Sequence, residues 1–409
     1  MKDLSKKIVI LTMLSLPLSQ TGVTVFGVPL YLPEVLILVG MVAFIFGLRA
    51  AEIKWRPIPA LVSVALSAFI VGSFVSSASS GFSHAELGAL KSWIVFPAIF
   101  GTLLSQVVQS DSERRRVLLF WYLGIVAVAA ISMAPLPFVH VTYDGRLASY
   151  FPSPNHLALF LEAGVPIGLF FLLERLRAGR DGLFALVSAS LLLIVVVILR
   201  TGSLGALIAV LIGSVVLIAS YFRLKRGAVI TLATLCFLTI LVPAVFVGAS
   251  WRVLETGQVR SSIASRVMIW NVSVQLLSDH PILGIGLRNF ERAYLDMQPQ
   301  FPTYLEWAVP HPQNLILSVW LSMGAIGFAG FILILLYLAE RSSIFAFGPQ
   351  TRTSGTAGVM LALLVTFFVH GLVDTPFFKN DLSLAFFAVY GLILSLSNLG
   401  PYEAGTSDI

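Results

Sequence analysis

The sequence predicts an all-α fold: a polytopic integral membrane protein of about twelve transmembrane helices, with a large helical extracytoplasmic loop before the tenth. Three observations carry that prediction. The 409 residues are 57% hydrophobic and only 11% charged, where a soluble domain carries roughly 25% charged residues. Apolar runs of about 20 residues, enough to cross a bilayer, recur along the chain. They are too long for barrel strands, and lipid cannot satisfy exposed backbone groups, so the spanning element is a helix. Basic residues gather in every second connection, the pattern of loops that alternate between the cytoplasm and the outside.

Taken in order, the spans fall near 7–24, 30–48, 58–77, 88–109, 116–134, 155–173, 183–200, 202–221, 228–248, 313–339, 356–375 and 381–398. Lys2, Lys6 and Lys7 precede the first; Arg49, Lys54 and Arg56 follow the second; Arg114, Arg115 and Arg116 follow the fourth. Arg175, Arg177 and Arg180, then Arg223, Lys225 and Arg226, then Arg341 and Arg352 continue the series. The alternate short connections hold little beyond Lys91, Arg146, Arg200 and Lys379. Both termini are therefore expected in the cytoplasm, the protein in the cytoplasmic (inner) membrane, and the 250–312 loop outside. The first apolar run shows no small-residue cleavage site and reads as a retained helix rather than a signal peptide.

The chain reads as one membrane domain, 1–409, with residues 250–312 as the cover of an active site and 399–409 as a short cytoplasmic tail. Cys236 is the only cysteine, so neither a disulfide nor a cysteine metal site can form within one chain. The formal net charge of +6 is mostly the cytoplasmic bias of Lys and Arg and calls for no nucleic-acid partner.

Polar chemistry concentrates on the outer side. Glu34, His84, Glu86 and Lys91 read as interfacial residues. Arg146 follows Tyr143-Asp144-Gly145, and is either a solvated loop charge or an anion-binding one. Asn155, after Pro152 and Pro154, reads as a helix cap. Arg200 lies in a tight outer turn, Arg200-Thr201-Gly202-Ser203, where a charge must snorkel or find a partner. Val267, Trp270, Val274 and Leu277 recur at helical spacing and predict an apolar helix face along the membrane or across the bundle mouth. Arg266 is expected in that helix's first turn, beside free N–H groups, which makes an anion site. His311, between Pro310 and Pro312, is a candidate acid/base group or a structural histidine, and Asn314 is expected to cap the tenth span. His370 and Asp374, four apart, form a polar pair facing the bundle interior or a cavity.

These residues carry a resemblance. Gly145-Arg146 through Pro154-Asn155, Thr201-Gly202-Ser203, Arg266 with Trp270, His280-Pro281-x-x-Gly284-x-Gly286, and Pro310-His311-Pro312-Gln313-Asn314 through Gly324-x-x-Gly327 resemble the O-antigen ligase and O-antigen polymerase superfamily. These are membrane glycosyltransferases that use polyprenyl-diphosphate-linked glycans, and the similarity spans roughly 140–330. The resemblance implies transfer of a glycan from a lipid diphosphate donor to a glycan, lipid-glycan or protein acceptor at the outer face, in cell-surface polysaccharide biosynthesis. A departing diphosphate needs cations and an acceptor hydroxyl needs a base. His311 is then the expected base, with Arg266 and Arg200 in catalysis. Arg146, Asn155, Asn314, His280, His370 and Asp374 are expected to bind substrate. The outer loops show no closely spaced Asp/Glu cluster, and arginine holds phosphate without a metal, so no metal or other cofactor is expected.

Two positions depart from the family pattern. Leu204 stands where the family often has arginine within Ser-Arg-Gly, with Arg200 one turn earlier. Gln313 stands where ligases tend to place a histidine before the asparagine matched by Asn314, and His311 is two residues earlier. Two alternatives stay open: a polytopic transporter of a small anion or lipid-linked glycan, and a non-catalytic family member that binds lipid-linked glycan.

Overall fold

The computed structural model describes residues 1–25, 28–224, 262–301, 308–349, 351 and 353–397. The expected ninth span (228–248), Cys236, Arg252, Glu255, Arg260, Glu306, Arg352 and the 399–409 tail lie outside the described residues.

Of the remaining eleven expected spans, ten coincide with helices, and the first is helical only in its opening part. In chain order the helices are α1 (Lys2–Leu14), α2 (Leu32–Arg49), α3 (Ala60–Ser79), α4 (His84–Val107), α5 (Asp111–Met133), α6 (Pro154–Ala178) and α7 (Gly182–Thr201). Then come α8 (Leu204–Phe222), α9 (Ser262–Asp279), α10 (Phe290–Met297), α11 (Leu315–Phe347), α12 (Ser354–Gly371) and α13 (Asn380–Ser397). All but α1, α9, α10 and α13 are long and apolar enough to cross a membrane. Among the described residues, strands form two small antiparallel hairpins: β1 (Gly22–Val25) with β2 (Val28–Tyr31), and β3 (His140–Val141) with β4 (Leu147–Ser149). The protein is a multi-pass, all-α membrane protein.

Four local expectations are corrected. The first span is not one helix through residue 24: α1 ends at Leu14, a 3₁₀ turn follows over Leu16–Gln20, and the chain enters the β1–β2 hairpin. Pro17, which lacks an N–H, sits at that break. Asn155 is not a cap; Ser153 accepts the hydrogen bond from His156 N, with Pro154 opening the helix. In α9 the buried face is Met268, Ile269, Val272 and Leu276, while Val267 and Val274 are exposed. Because α9 is already helical at Ser262, Arg266 does not lie in its first turn. Asn314 does cap α11, its Oδ1 accepting from Leu317 N at 3.1 Å.

Small residues bring helices together, as packing without a hydrophobic drive between spans requires. On α3 and α11, a Cβ at Gly72 would lie 2.2 Å from Gly327 N, and one at Gly330 would lie 2.5 Å from Ala65 O. Earlier on α11, Gly324 takes φ +66° and breaks the helix. The freed backbone is used: Ala325 N donates to Ile282 O and Ile285 N to Leu321 O, at 2.9 and 2.7 Å. The His280–Gly286 turn is thus docked into the kink of α11, and Gly286, Leu287 and Arg288 are held by Ser76 and the buried Glu86. Glu86 is structural.

Gly284 takes φ +71°, and a Cβ there would lie 2.4 Å from Leu321 O. Gly284→Ala is expected to lose about 1–2 kcal/mol for the left-handed backbone alone, and more for the displaced docking contact. Thermal unfolding in detergent checks this against Gly88→Ala, whose added Cβ meets nothing. Equal melting temperatures would show that the dock does not support the bundle.

Candidate active site

Alternation of the helices brings the β1–β2 hairpin, residues 140–156, the α7–α8 turn, α9, the 308–314 segment and the α12–α13 connection to one end of the bundle. The basic connections occupy the other end. The hub of the first end is the connection Leu372–Lys379, anchored by Phe377. That ring is fully buried and packs at 5.5–5.9 Å on Phe69, Phe331 and Phe386.

Four candidate residues fasten onto this hub. Arg146 Nε donates to Thr201 O at 2.7 Å, at the left-handed Gly202 turn, and its terminal nitrogen donates to Asn155 Oδ1. Asn155 Nδ2 then donates to Asp374 Oδ2 at 3.0 Å. Arg266 Nε donates to Val373 O at 2.7 Å, and Asn314 Nδ2 to Leu372 O at 3.1 Å. Asn155 of α6, Arg266 of α9 and Asn314 at the cap of α11 therefore converge on three consecutive positions, with Arg146 joined to them through Asn155. Burial pushes the Asp374 carboxyl up, but His370, Lys379, the Thr375 N–H and Arg266 outweigh it and hold it below the ordinary aspartate value. Asp374 reaches Arg146 through Asn155, while Arg266 is held by the neighbouring Val373 carbonyl.

His311 sits beside the same hub. Its ring stacks on Phe378 at 5.9 Å and meets Trp93 edge-on at 6.1 Å. Trp93 in turn lies under the Arg288 guanidinium and donates to Asn380. Among the described residues neither nitrogen of His311 has a hydrogen-bond partner. Burial, with Lys379 and Arg288 nearby, pushes the imidazole down to about 3, so it is neutral at pH 7. A neutral imidazole with unengaged nitrogens is a proton acceptor.

Beneath these groups lie two buried pairs. His370 Nδ1 bonds Glu162 Oε2, joining α12 to α6. The His370–Asp374 pair expected from their spacing is not a direct side-chain contact; the Asp374 N–H bonds the His370 carbonyl instead. His156 Nε2 bonds both oxygens of Asp381, at 2.9 and 3.1 Å, and Gln20 donates to the same carboxylate. His156 Nδ1 is buried without a partner.

Two expected site residues stay apart. Arg200 is exposed on the last turn of α7, next to Thr201, and makes no hydrogen bond among the described residues. His280 is exposed where α9 ends, and its backbone carbonyl accepts from Gly284 N. Gln313, at φ +50°, accepts from Trp270 Nε1 through its carbonyl, so its part here is backbone positioning. Leu204 is exposed at the start of α8.

Sequence reasoning missed Glu162, His156, Asp381, Trp93, Arg288 and Phe378. Glu162 carried a signal: a carboxylate inside an apolar run needs a partner at its own depth. Among the described residues, no three His, Cys, Asp or Glu side chains group as metal ligands.

No curated protein matches the chain. Residues 189–332 match the family model described as O-antigen ligase. That segment runs from α7 into α11 and contains Arg200, Arg266, His280, His311 and Asn314, while Arg146, Asn155 and Asp374 reach the same hub from outside it. By this match residues 189–332 are similar to the O-antigen ligase family.

Proposed function

We propose that the chain transfers a glycan from a polyprenyl-diphosphate donor to a hydroxyl of a glycan or lipid-glycan acceptor, at the extracytoplasmic face of the cytoplasmic membrane. The observation that carries this reading is the convergence of Arg146, Asn155, Arg266, Asn314 and His311 on the Leu372–Lys379 hub. In the step, the acceptor oxygen forms a bond to C1 of the donor sugar as the C1–O bond to diphosphate breaks. The electron pair leaves with the polyprenyl diphosphate, and the acceptor proton passes to His311. Arg146 and Arg266 face the growing negative charge on the leaving diphosphate, the role in which preorganised cations lower a barrier most.

Asp374 orients Arg146 through Asn155, and the Val373 carbonyl orients Arg266. His370 supports the hub from below. A metal is not required in this scheme, since guanidinium forks supply the charge.

The test is transfer by the purified protein from a polyprenyl-diphosphate glycan with chelator present, comparing wild type with Arg146→Ala and Arg266→Ala. Each variant is expected to lose about 10²–10³-fold in rate, as for removal of one oxyanion donor. Full activity in both would remove the diphosphate role. A wild type that binds donor tightly yet never turns over would make the chain a glycan-lipid binding protein.

A further inference from the structure

The opposite end of the bundle holds a cavity of its own. It has a volume of about 390 Å³ and opens between the ends of α5, α6 and α8 and the start of α12. Arg115, Glu174, Arg177, Tyr221, Arg223 and Ser354 line it. We propose that this cavity binds the phosphate of an anionic phospholipid headgroup. The proposal is independent of the transfer reaction.

Charge is the first reason. Arg115 is neutralised by Asp111 and Glu174. Arg177 and Arg223 form no ion pair among the described residues, so two of the three guanidiniums are left with no carboxylate. Arg177 is held flat, its guanidinium carbon 4.0 Å from the centre of the Tyr221 ring, and its donors stay available. Arg223 follows α8 in a left-handed conformation and spends one nitrogen on Gly348 O at 2.7 Å.

Chemistry and depth are the others. The Ser354 and Thr351 hydroxyls face the same space, and α12 begins there, adding the positive end of its dipole. The walls are the ends of spanning helices, which is the depth of lipid headgroups. Basic pockets between spans at that depth suit anionic phospholipids. The cavity lies in the size range of ordinary ligand sites.

The experiment is native mass spectrometry of the intact purified protein with phosphatidylglycerol, phosphatidylcholine or inorganic phosphate. Wild type is expected to retain phosphatidylglycerol over phosphatidylcholine. Arg177→Gln with Arg223→Gln should weaken that retention about fivefold for each charge removed. Ser354→Asp should weaken it as well, and cannot be dismissed as unfolding, because an acid in a helix's first turn stabilises the helix. Arg49→Gln, a basic residue at the same end but outside the cavity, should change nothing. Equal retention by all variants, or equal loss in Arg49→Gln, would overturn the site. Displacement of phosphatidylglycerol by inorganic phosphate would assign the cavity to a soluble anion and overturn the headgroup.

Discussion

His311→Phe is expected to lower kcat for glycan transfer by about 10²–10⁴-fold, the span for loss of a general base, while the protein stays folded. Phenylalanine keeps the stack on Phe378 and the edge contact to Trp93 and removes only the nitrogens. The pH profile is the sharper measurement. With its imidazole held at about 3 rather than 6.5, His311 is already neutral in the free enzyme above pH 5. Since kcat/KM reports groups of the free enzyme, it should be flat from pH 5 to 7. Bound diphosphate places negative charge beside Lys379 and Arg288, offsets their repulsion of a proton, and moves the His311 value upward. The acid limb of kcat should therefore lie at higher pH than that of kcat/KM, and Arg288→Ala should move the kcat/KM limb up. The same shift makes stability fall as pH drops from 6.5 toward 3, because the unfolded chain takes up the proton first. An acid limb in kcat/KM near pH 6.5 would place the base elsewhere, with His156 and its partnerless Nδ1 the next residue to replace.

What the sequence made legible follows from which forces are local. Span positions were readable because the cost of a charge in lipid is paid residue by residue, and the Asn314 cap because it acts on the N–H three residues ahead. The α9 face was misread because Met268, Ile269, Val272 and Leu276 are as apolar as the residues chosen. Periodicity alone does not say which of two apolar faces the bundle will cover. The site was half legible. Arg146, Arg266 and His311 stood out as charges or constrained residues in outer connections. Their common support did not, since His156 and Asp381 are 225 residues apart and Glu162 and His370 are 208 apart. Only the bundle brings such pairs together. Phe377 and Phe378 looked like any apolar residues at a span boundary, yet one anchors the hub and the other stacks on the candidate base.

Glu162→Ala is expected to be the most destabilising single change, at about 3–5 kcal/mol, the cost of leaving one partner of a buried ion pair alone. His370 would then face Gly205, whose missing side chain lets the imidazole approach, and no other carboxylate among the described residues bonds it. His370→Ala should cost a comparable amount. The double variant Glu162→Leu/His370→Leu should recover most of the loss, because replacing both partners removes the stranded polar group. Thermal unfolding of the four proteins gives the coupling between the two positions. Two single losses under about 1 kcal/mol that simply add would show that the pair contributes no coupling. The pair also bears on transfer. Asn155 lies two turns before Glu162 on α6, and Asp374 lies one turn beyond His370, so the same two elements are fastened at both levels. Releasing the lower fastening should loosen the upper one, and with it the Arg146 guanidinium. The double Leu variant should therefore regain its melting temperature yet remain slow in transfer, which separates the pair's part in holding the bundle from its part in aiming the site.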